Sequence, residues 1–72
     1  MTKDELHTQL EQVKSKAKDS TILTVSDFIS VYGDNQTRMI GQIETDRADV
    51  LATAYNLELV KDTDNYTFTR KG

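Results

Sequence analysis

The chain has 72 residues, no cysteine and one histidine, His7, so neither a disulfide nor a histidine-cysteine metal site can supplement a small core. Twelve acidic and nine basic side chains give a formal net charge of −3, which is a weak electrostatic footprint for duplex DNA. Apolar runs of two or three residues are too short for a signal peptide or a membrane span. We therefore expect one domain over residues 1–72, cytoplasmic and without a membrane partner.

The first 18 residues have the pattern of an amphipathic helix. Apolar residues recur at spacings of four, three and four, at Leu6, Leu10, Val13 and Ala17. Thr2 and Glu5 have the spacing of a capping box, so the helix is predicted over residues 3–18. This apolar stripe is expected either to contact the domain's own core or to form a dimer or partner surface.

A strand-like run and a second helical pattern follow. The β-branched run 21–25 predicts a short strand or an extended connector. Thr24 or Ser26 can cap a helix, and Gly33 stands where a left-handed helix terminator is expected. Apolar residues at helical spacing, Val25, Phe28, Ile29 and Tyr32, predict a short helix that ends at Gly33.

The next segment, residues 34–44, admits two predictions. Asp34 or Asn35 can cap a further short helix, with apolar residues at Met39, Ile40 and Ile43, although Gly41 disfavours it by about 1 kcal/mol relative to alanine. The alternative is a β-hairpin over residues 28–43 that turns at residues 33–35. The helical interpretation is favoured because residues 25–32 fit a period of 3.6 better than an alternation.

The C-terminal third predicts a helix and then a hairpin. Residues 46–55 have acidic side chains in the first helical turn, where they complement the helix dipole. The core side of this helix is expected at Val50, Leu51, Ala54 and Leu57. Two alternating segments, 57–61 and 66–70, flank the polar residues 62–65 and predict a β-hairpin.

These elements together predict an α+β fold that is mostly helical. An N-terminal helix precedes short helices resembling a helix-turn-helix, and a C-terminal hairpin stands in the position of a wing. If residues 28–43 form a hairpin instead, the fold has the order α-ββ-α-ββ.

No catalytic or metal-binding motif was found. His7 has no second histidine or cysteine at a useful spacing, so it is expected to be a surface residue. Asp62 and Asp64 lack the further ligands and the central glycine of a calcium loop. No glycine-rich phosphate loop or nucleophile elbow is present. We therefore expect no enzyme activity, no cofactor, no metal and no small-molecule substrate.

Residues 25–44 resemble a helix-turn-helix, with Phe28 and Tyr32 on the first helix, Gly33 at the turn and Met39 on the second helix. Ile29 and Gln42 depart from that pattern, which favours a small residue and an aliphatic one there. In this register four side chains would project from the recognition helix toward base edges or phosphates: Gln36, Thr37, Arg38 and Gln42.

A second register uses residues 36–55, so that the helix over residues 45–55 becomes the recognition helix directly before the hairpin. Residues 24–33 also resemble the opening helix of a phage Cro-type repressor, and the likeness to Cro and winged-helix regulators covers Thr24 to Arg70. Glu44 departs from it, because glycine is typical at that turn position. The resemblance implies nucleic-acid or partner contacts by Arg47, Lys61, Arg70 and Lys71.

Asp46 and Asp49 weigh against a simple DNA-binding role, because acid in the first turn of a recognition helix repels phosphate. The leading hypothesis is thus a small regulator in a phage-type genetic switch. It would bind operator DNA or, as an antirepressor, the basic DNA-reading face of a partner repressor. The rival hypothesis is a protein-protein interaction module that docks through a β-hairpin and does not bind DNA.

Overall fold

The protein has an α+β fold. The computed structural model describes residues 1–33, 38–40 and 43–71, and only the backbone of residues 38–40 and 43–45. The elements in chain order are α1 (Lys3–Lys14), β1 (Ser20–Thr24), α2 (Val25–Tyr32), β2 (Arg38–Ile40), β3 (Ile43–Thr45), α3 (Arg47–Tyr55), β4 (Leu57–Lys61) and β5 (Asn65–Arg70). Within these ranges, no helix has both the length and the hydrophobicity that crossing a bilayer requires.

The main sheet has three antiparallel strands in the order β1-β5-β4, so the last strand of the chain is the central one. Leu23 pairs with Tyr66, and Leu59 pairs with Phe68. Because successive side chains of a strand alternate between faces, these residues share one face. The helices cover that face, whereas Ile22 on the opposite face is 63% exposed.

The core lies between this face of the sheet and the three helices. Phe28 of α2 is fully buried, and its ring centroid lies 5.6 Å from that of Tyr66 and 6.3 Å from that of Phe68. The other buried apolar residues are Leu6, Leu10, Val13, Leu23, Ala48, Leu51, Ala52 and Leu57. A single aromatic cluster therefore joins α2 to the central strand.

Each helix begins with a reciprocal capping box, in which the cap side chain and the third helical residue bond each other's backbone amides. The pairs are Thr2 with Glu5, Thr24 with Asp27 and Asp46 with Asp49. The predicted caps at Thr2 and Thr24 are confirmed. Gly33 is also confirmed as the terminator of α2, with a φ of 81°.

Helix α1 is shorter than predicted. It ends at Lys14 and not at residue 18, because Lys16 adopts a left-handed φ of 71° and turns the chain toward β1. Leu6, Leu10 and Val13 have no exposed area at all. The apolar stripe is therefore part of the domain's own core, and the alternative of a dimer or partner surface is wrong for these three residues.

The predicted helix over residues 36–44 is wrong where the structure describes the chain. Residues 38–40 pair with 43–45 as a separate two-stranded antiparallel sheet, with Ile40 opposite Ile43. The hairpin alternative over residues 28–43 is also wrong in its position, because residues 25–32 are helical. Both helix-turn-helix registers required a helix that includes residues 38–40, and these residues form a strand instead. The predicted helix caps Asp34 and Asn35 lie outside the described residues.

The predicted core side of α3 is confirmed at Leu51 and at Leu57, which follows the helix, but it is wrong at Val50 and Ala54. Ala48, Leu51 and Ala52 are buried, whereas Val50 is 47% exposed and Ala54 is exposed. Helix α3 packs against α1 and β4, and alanines let it approach them closely. The larger valine is therefore left on the outer side.

We predict that Gly33→Ala lowers the free energy of unfolding by about 1 kcal/mol, because a left-handed φ is strained for residues with a Cβ. A Cβ at Gly33 would meet no atom within 4 Å, so the expected cost is conformational and not steric. Gly33→Asn is the control, since asparagine tolerates this region and should cost less. Urea unfolding measures both, and equal losses for the two variants would contradict the prediction.

Candidate functional site

The structure describes the side chains of only four of the eight residues that were predicted to contact nucleic acid or a partner. Gln36, Thr37 and Gln42 lie outside the described residues, and Arg38 is described only as a backbone position on β2. The remaining predicted contacts are the cations Arg47, Lys61, Arg70 and Lys71.

Lys61 points toward the helices and not away from them. It lies opposite Tyr66, on the covered face of the sheet. Its Nζ donates to Asp46 Oδ2 at 3.1 Å and to Asp49 Oδ2 at 2.7 Å. The predicted wing cation therefore ties the end of β4 to the first turn of α3, and it neutralises part of the acid there.

This cluster shifts two pKa values in the directions expected for an ion pair. Burial alone would raise the pKa of Asp49, but hydrogen bonds from Lys61 and from the Asp46 backbone outweigh it, so the pKa lies below its usual range. Burial likewise favours a lower pKa for Lys61, but its hydrogen bonds to Asp49 and Asp46 raise it above its usual value. Each charge stabilises the other.

We predict that the stability contributed by this cluster depends on pH at both extremes. The folded pKa of Asp49 lies below its unfolded value of 3.8, so its contribution is complete above that value and is lost as the pH falls further. The folded pKa of Lys61 lies above 10.5, so its contribution is complete below that value and is lost at higher pH.

Urea unfolding of wild type and Lys61→Met across pH measures this contribution. The Lys61 side chain is 39% exposed, so solvent screening should keep the difference below about 1 kcal/mol between these limits. The difference in free energy of unfolding between wild type and Lys61→Met should become smaller in acid and in alkali. A difference that grows as the pH falls below 3.8 would contradict the assignment.

Two more of the predicted contact cations also have partners inside the domain. The Arg47 guanidinium carbon lies 4.7 Å from the centroid of the Tyr32 ring, which is a cation-π geometry. Arg70 donates to the backbone oxygen of Val13 in the last turn of α1 at 3.2 Å and to that of Lys18 after the helix at 2.5 Å. Of these four predicted contact residues, only Lys71 has no hydrogen-bond, ion-pair or cation-π partner in the described part of the chain.

A polar cluster that the sequence did not predict surrounds His7, which is half-buried and not a surface residue as expected. Its Nδ1 lies 2.8 Å from the Tyr55 hydroxyl and its Nε2 lies 2.7 Å from the Tyr32 hydroxyl. Each tyrosine is the last residue of its helix, so His7 joins α1 to α2 and α3. No short-range pattern signals this contact, because the partners are 25 and 48 positions away.

This cluster has the chemistry of a structural contact. A general base needs a nitrogen that can reach a substrate, but both nitrogens of His7 already bond tyrosines. Burial raises the pKa of Tyr32, despite the opposing effect of Arg47, and burial with the nearby Glu11 charge raises the pKa of Tyr55. Both hydroxyls therefore stay protonated at neutral pH, which does not suit a nucleophile.

We predict that His7→Phe lowers the free energy of unfolding by about 1–2 kcal/mol, because it keeps the ring but removes two hydrogen bonds. The value should lie at the low end, since both tyrosines are partly exposed and their hydroxyls can bond water instead. Thr8→Ala, at the exposed neighbouring position, is the control and should change stability by less than about 0.5 kcal/mol. If His7→Phe leaves the free energy of unfolding unchanged, His7 does not stabilise the fold through these two hydrogen bonds.

The end of the molecule that contains the β4–β5 tip is acidic. The backbone oxygen of Asp64 accepts from Val25 N at 2.9 Å, so the tip lies beside the first turn of α2. The Lys61 contacts bring the first turn of α3 to the same end. Five carboxylates gather there, at Asp27, Asp46, Asp49, Asp62 and Asp64.

We define the outer face as the exposed side chains of α3, namely Val50, Thr53 and Ala54, together with Asp62 and Asp64 of the tip. This face combines small, mostly apolar side chains on α3 with exposed carboxylates on the loop after β4, and Lys61 at the end of β4 bonds the first turn of α3. Of its helical members, only Thr53 carries a hydrogen-bonding side chain. The composition therefore suits an apolar contact bordered by negative charge.

In comparisons with protein-family models, curated proteins and solved structures, no match to this chain was found. Among the described residues, no group of three histidine, cysteine, aspartate or glutamate side chains is arranged to hold a metal ion.

Proposed function

We propose that this protein is a small, non-catalytic regulator of winged-helix type that acts by binding another protein. The target we propose is the basic, DNA-reading surface of a second regulator, so that binding blocks access to DNA as an antirepressor does. The outer face of α3 and the β4–β5 tip form the contact.

The order of the elements supports the winged-helix part of the proposal. The winged-helix resemblance implies a helix, a possible short strand, two short helices, a longer helix and a terminal hairpin. Here α1, β1, α2, α3, β4 and β5 keep that order, but the β2–β3 hairpin takes the place of the second short helix. Strand β1 pairs with β5, which ties the hairpin to the rest of the domain.

The side chains of the outer face favour a protein target over DNA. A recognition helix reads DNA through hydrogen-bonding and basic side chains, but α3 exposes Val50, Thr53 and Ala54. The tip, which in a DNA-binding wing would approach phosphates, carries Asp62 and Asp64 instead. An apolar centre with acidic neighbours complements a basic protein surface, where charge speeds association and apolar contact provides affinity.

The contacts that three cations make within the domain also favour a protein target over DNA. Lys61 bonds two aspartates, Arg47 lies against Tyr32, and Arg70 bonds backbone carbonyls. Contact of Lys61 with phosphate would require its bonds to Asp46 and Asp49 to break. A protein partner that approaches the outer face leaves all of them intact.

The proposal is tested by capture followed by competition. The tagged chain is used to capture partners from a lysate, captured proteins are identified by mass spectrometry, and each one that binds DNA is assayed by gel shift on its own DNA. We expect the chain to displace that DNA at a one-to-one ratio. We expect Asp62→Lys/Asp64→Lys to weaken the displacement at least tenfold, since both charges would oppose a basic surface.

Glu58→Lys is the control, because Glu58 is exposed on β4 outside the acidic end and its replacement makes once the acid-to-lysine change that the tip variant makes twice. It should displace DNA about as well as wild type. If every captured partner keeps its DNA in the presence of excess chain, or if the tip variant and the control act alike, the proposal is wrong.

A second candidate function is docking through the β2–β3 hairpin. This hairpin forms a sheet of its own, and an isolated two-stranded hairpin is only marginally stable in water, so packing on a partner would stabilise it. Replacement of residues 38–45 by a glycine-serine linker separates the two candidates. Loss of partner binding with an intact fold favours the hairpin, whereas retained binding favours the outer face.

A further inference from the structure

A cleft lies at the opposite end of the molecule from the acidic tip. It has a volume of about 150 Å³ and is formed where α1, α3 and β5 end and β4 begins. Its lining residues are Lys14, Tyr55, Asn56, Leu57, Arg70 and Lys71. Three of these six residues are cations and none is acidic, in a chain whose net charge is −3.

The three cations retain capacity to bind a ligand. Lys14 and Lys71 form no ion pair among the described residues, and Lys14 Nζ lies 5.9 Å from the Tyr55 ring centroid. The ion pair of Arg70 with Asp19 is long, at 3.5 Å, and the Asp19 side chain is fully exposed to water. Weak, solvated pairing of this kind contributes little and is easily exchanged for a bound anion.

The surrounding backbone also allows an anion, although α1 and α3 both end nearby. Carbonyl oxygens at helix ends repel negative charge. Arg70 reduces that repulsion because it donates to the oxygens of Val13 and Lys18. A guanidinium has five N–H donors, so these bonds leave others for a ligand.

We infer that this cleft binds a phosphate group, held by the ammonium groups of Lys14 and Lys71 and by the Arg70 guanidinium. The volume fits a tetrahedral anion with a few waters and does not enclose a whole nucleotide. The phosphate is either free inorganic phosphate or one group of a nucleic-acid backbone. This site is separate from the outer face, and the inference does not depend on the proposed function.

The test is a titration of the ¹⁵N-labelled full chain with inorganic phosphate at constant ionic strength, followed by amide chemical shifts. Saturable shifts are expected at Asn56, Leu57 and Lys71. Lys71→Gln should weaken binding about five- to tenfold, the effect of one charge-assisted contact. Lys16→Gln is the control, because Lys16 is exposed near the end of α1 but does not line the cleft, and its affinity should stay within about twofold of wild type.

A second titration with a short double-stranded oligonucleotide distinguishes the sources of phosphate. Tighter binding than that of inorganic phosphate, with shifts at the same amides, assigns the site to a nucleic-acid backbone, whereas saturation by inorganic phosphate alone assigns it to the free anion. Shifts that chloride reproduces, or that Lys71→Gln leaves unchanged, would overturn the inference. The Asp62→Lys/Asp64→Lys variant should bind phosphate like wild type, so failure of one proposal does not affect the other.

Discussion

Replacing Phe28 by alanine is expected to lower the free energy of unfolding by about 3–5 kcal/mol. Phe28 is fully buried, and its ring packs against Tyr66 and Phe68 of the central strand. The substitution leaves a cavity between α2 and the sheet, where the rigid strand pairing limits collapse. A domain of this length has a total stability of about 4–11 kcal/mol, so the variant should be largely unfolded or melt roughly 15–30 °C lower.

Thermal and urea unfolding followed by circular dichroism measure this effect. Ile29→Ala is the matched control, since Ile29 is the next residue of the same helix but is 49% exposed. It should cost less than about 1 kcal/mol. If the two variants lose similar stability, α2 does not pack through Phe28 as described.

The second large effect is expected for Asp46→Ala, which should cost about 1.5–2 kcal/mol. Asp46 caps α3 by accepting from Asp49 N at 3.0 Å, and loss of such a cap costs about 1 kcal/mol. The same side chain is only 5% exposed and accepts from Lys61, so its removal also breaks one of the two contacts that link β4 to α3. That link adds less than about 1 kcal/mol, because Lys61 is itself partly exposed.

Two control variants separate the contribution of the helix cap to stability from that of the ion pair. Thr24→Ala removes an equivalent cap from α2 that has no cation beside it, and it should cost about 1 kcal/mol. Asp46→Asn keeps a capping oxygen but removes the charge, and it should cost less than Asp46→Ala. Urea unfolding at neutral pH compares the three, and a larger loss for Thr24→Ala than for Asp46→Ala would contradict the role of Lys61.

Local signals in the sequence predicted most helix boundaries. The capping box at Thr2, the cap at Thr24 and the terminator at Gly33 involve residues at most four positions from the groups that they bond, so the sequence alone contains the interaction. The end of α1 was predicted four residues too late. The contact that accompanies it comes from Arg70, more than 50 positions away, and no local pattern encodes it.

The segment between α2 and α3 was predicted incorrectly because its apolar residues are compatible with two periods. Met39, Ile40 and Ile43 fit a helical face, but strand pairing sets Ile40 against Ile43 across the two residues 41–42. Gly41 favours the hairpin, since glycine disfavours a helix interior.

Burial in α3 was mispredicted for a packing reason. The size of Val50 suggested a core position, but α3 packs closely through Ala48 and Ala52. The partners of Lys61, Arg70 and His7 lie between 12 and 57 positions away in sequence. Such contacts depend on the register of the sheet, so the sequence identified several of these residues but not what they bind.

The most direct test of the proposed protein target is a chemical-shift titration of the full chain with duplex DNA at low salt. We predict that the amides of Val50, Thr53, Asp62 and Asp64 do not shift, because this face lacks free cations. Shifts at those four positions that saturate with DNA and disappear at high salt would contradict the account and assign the outer face to DNA recognition.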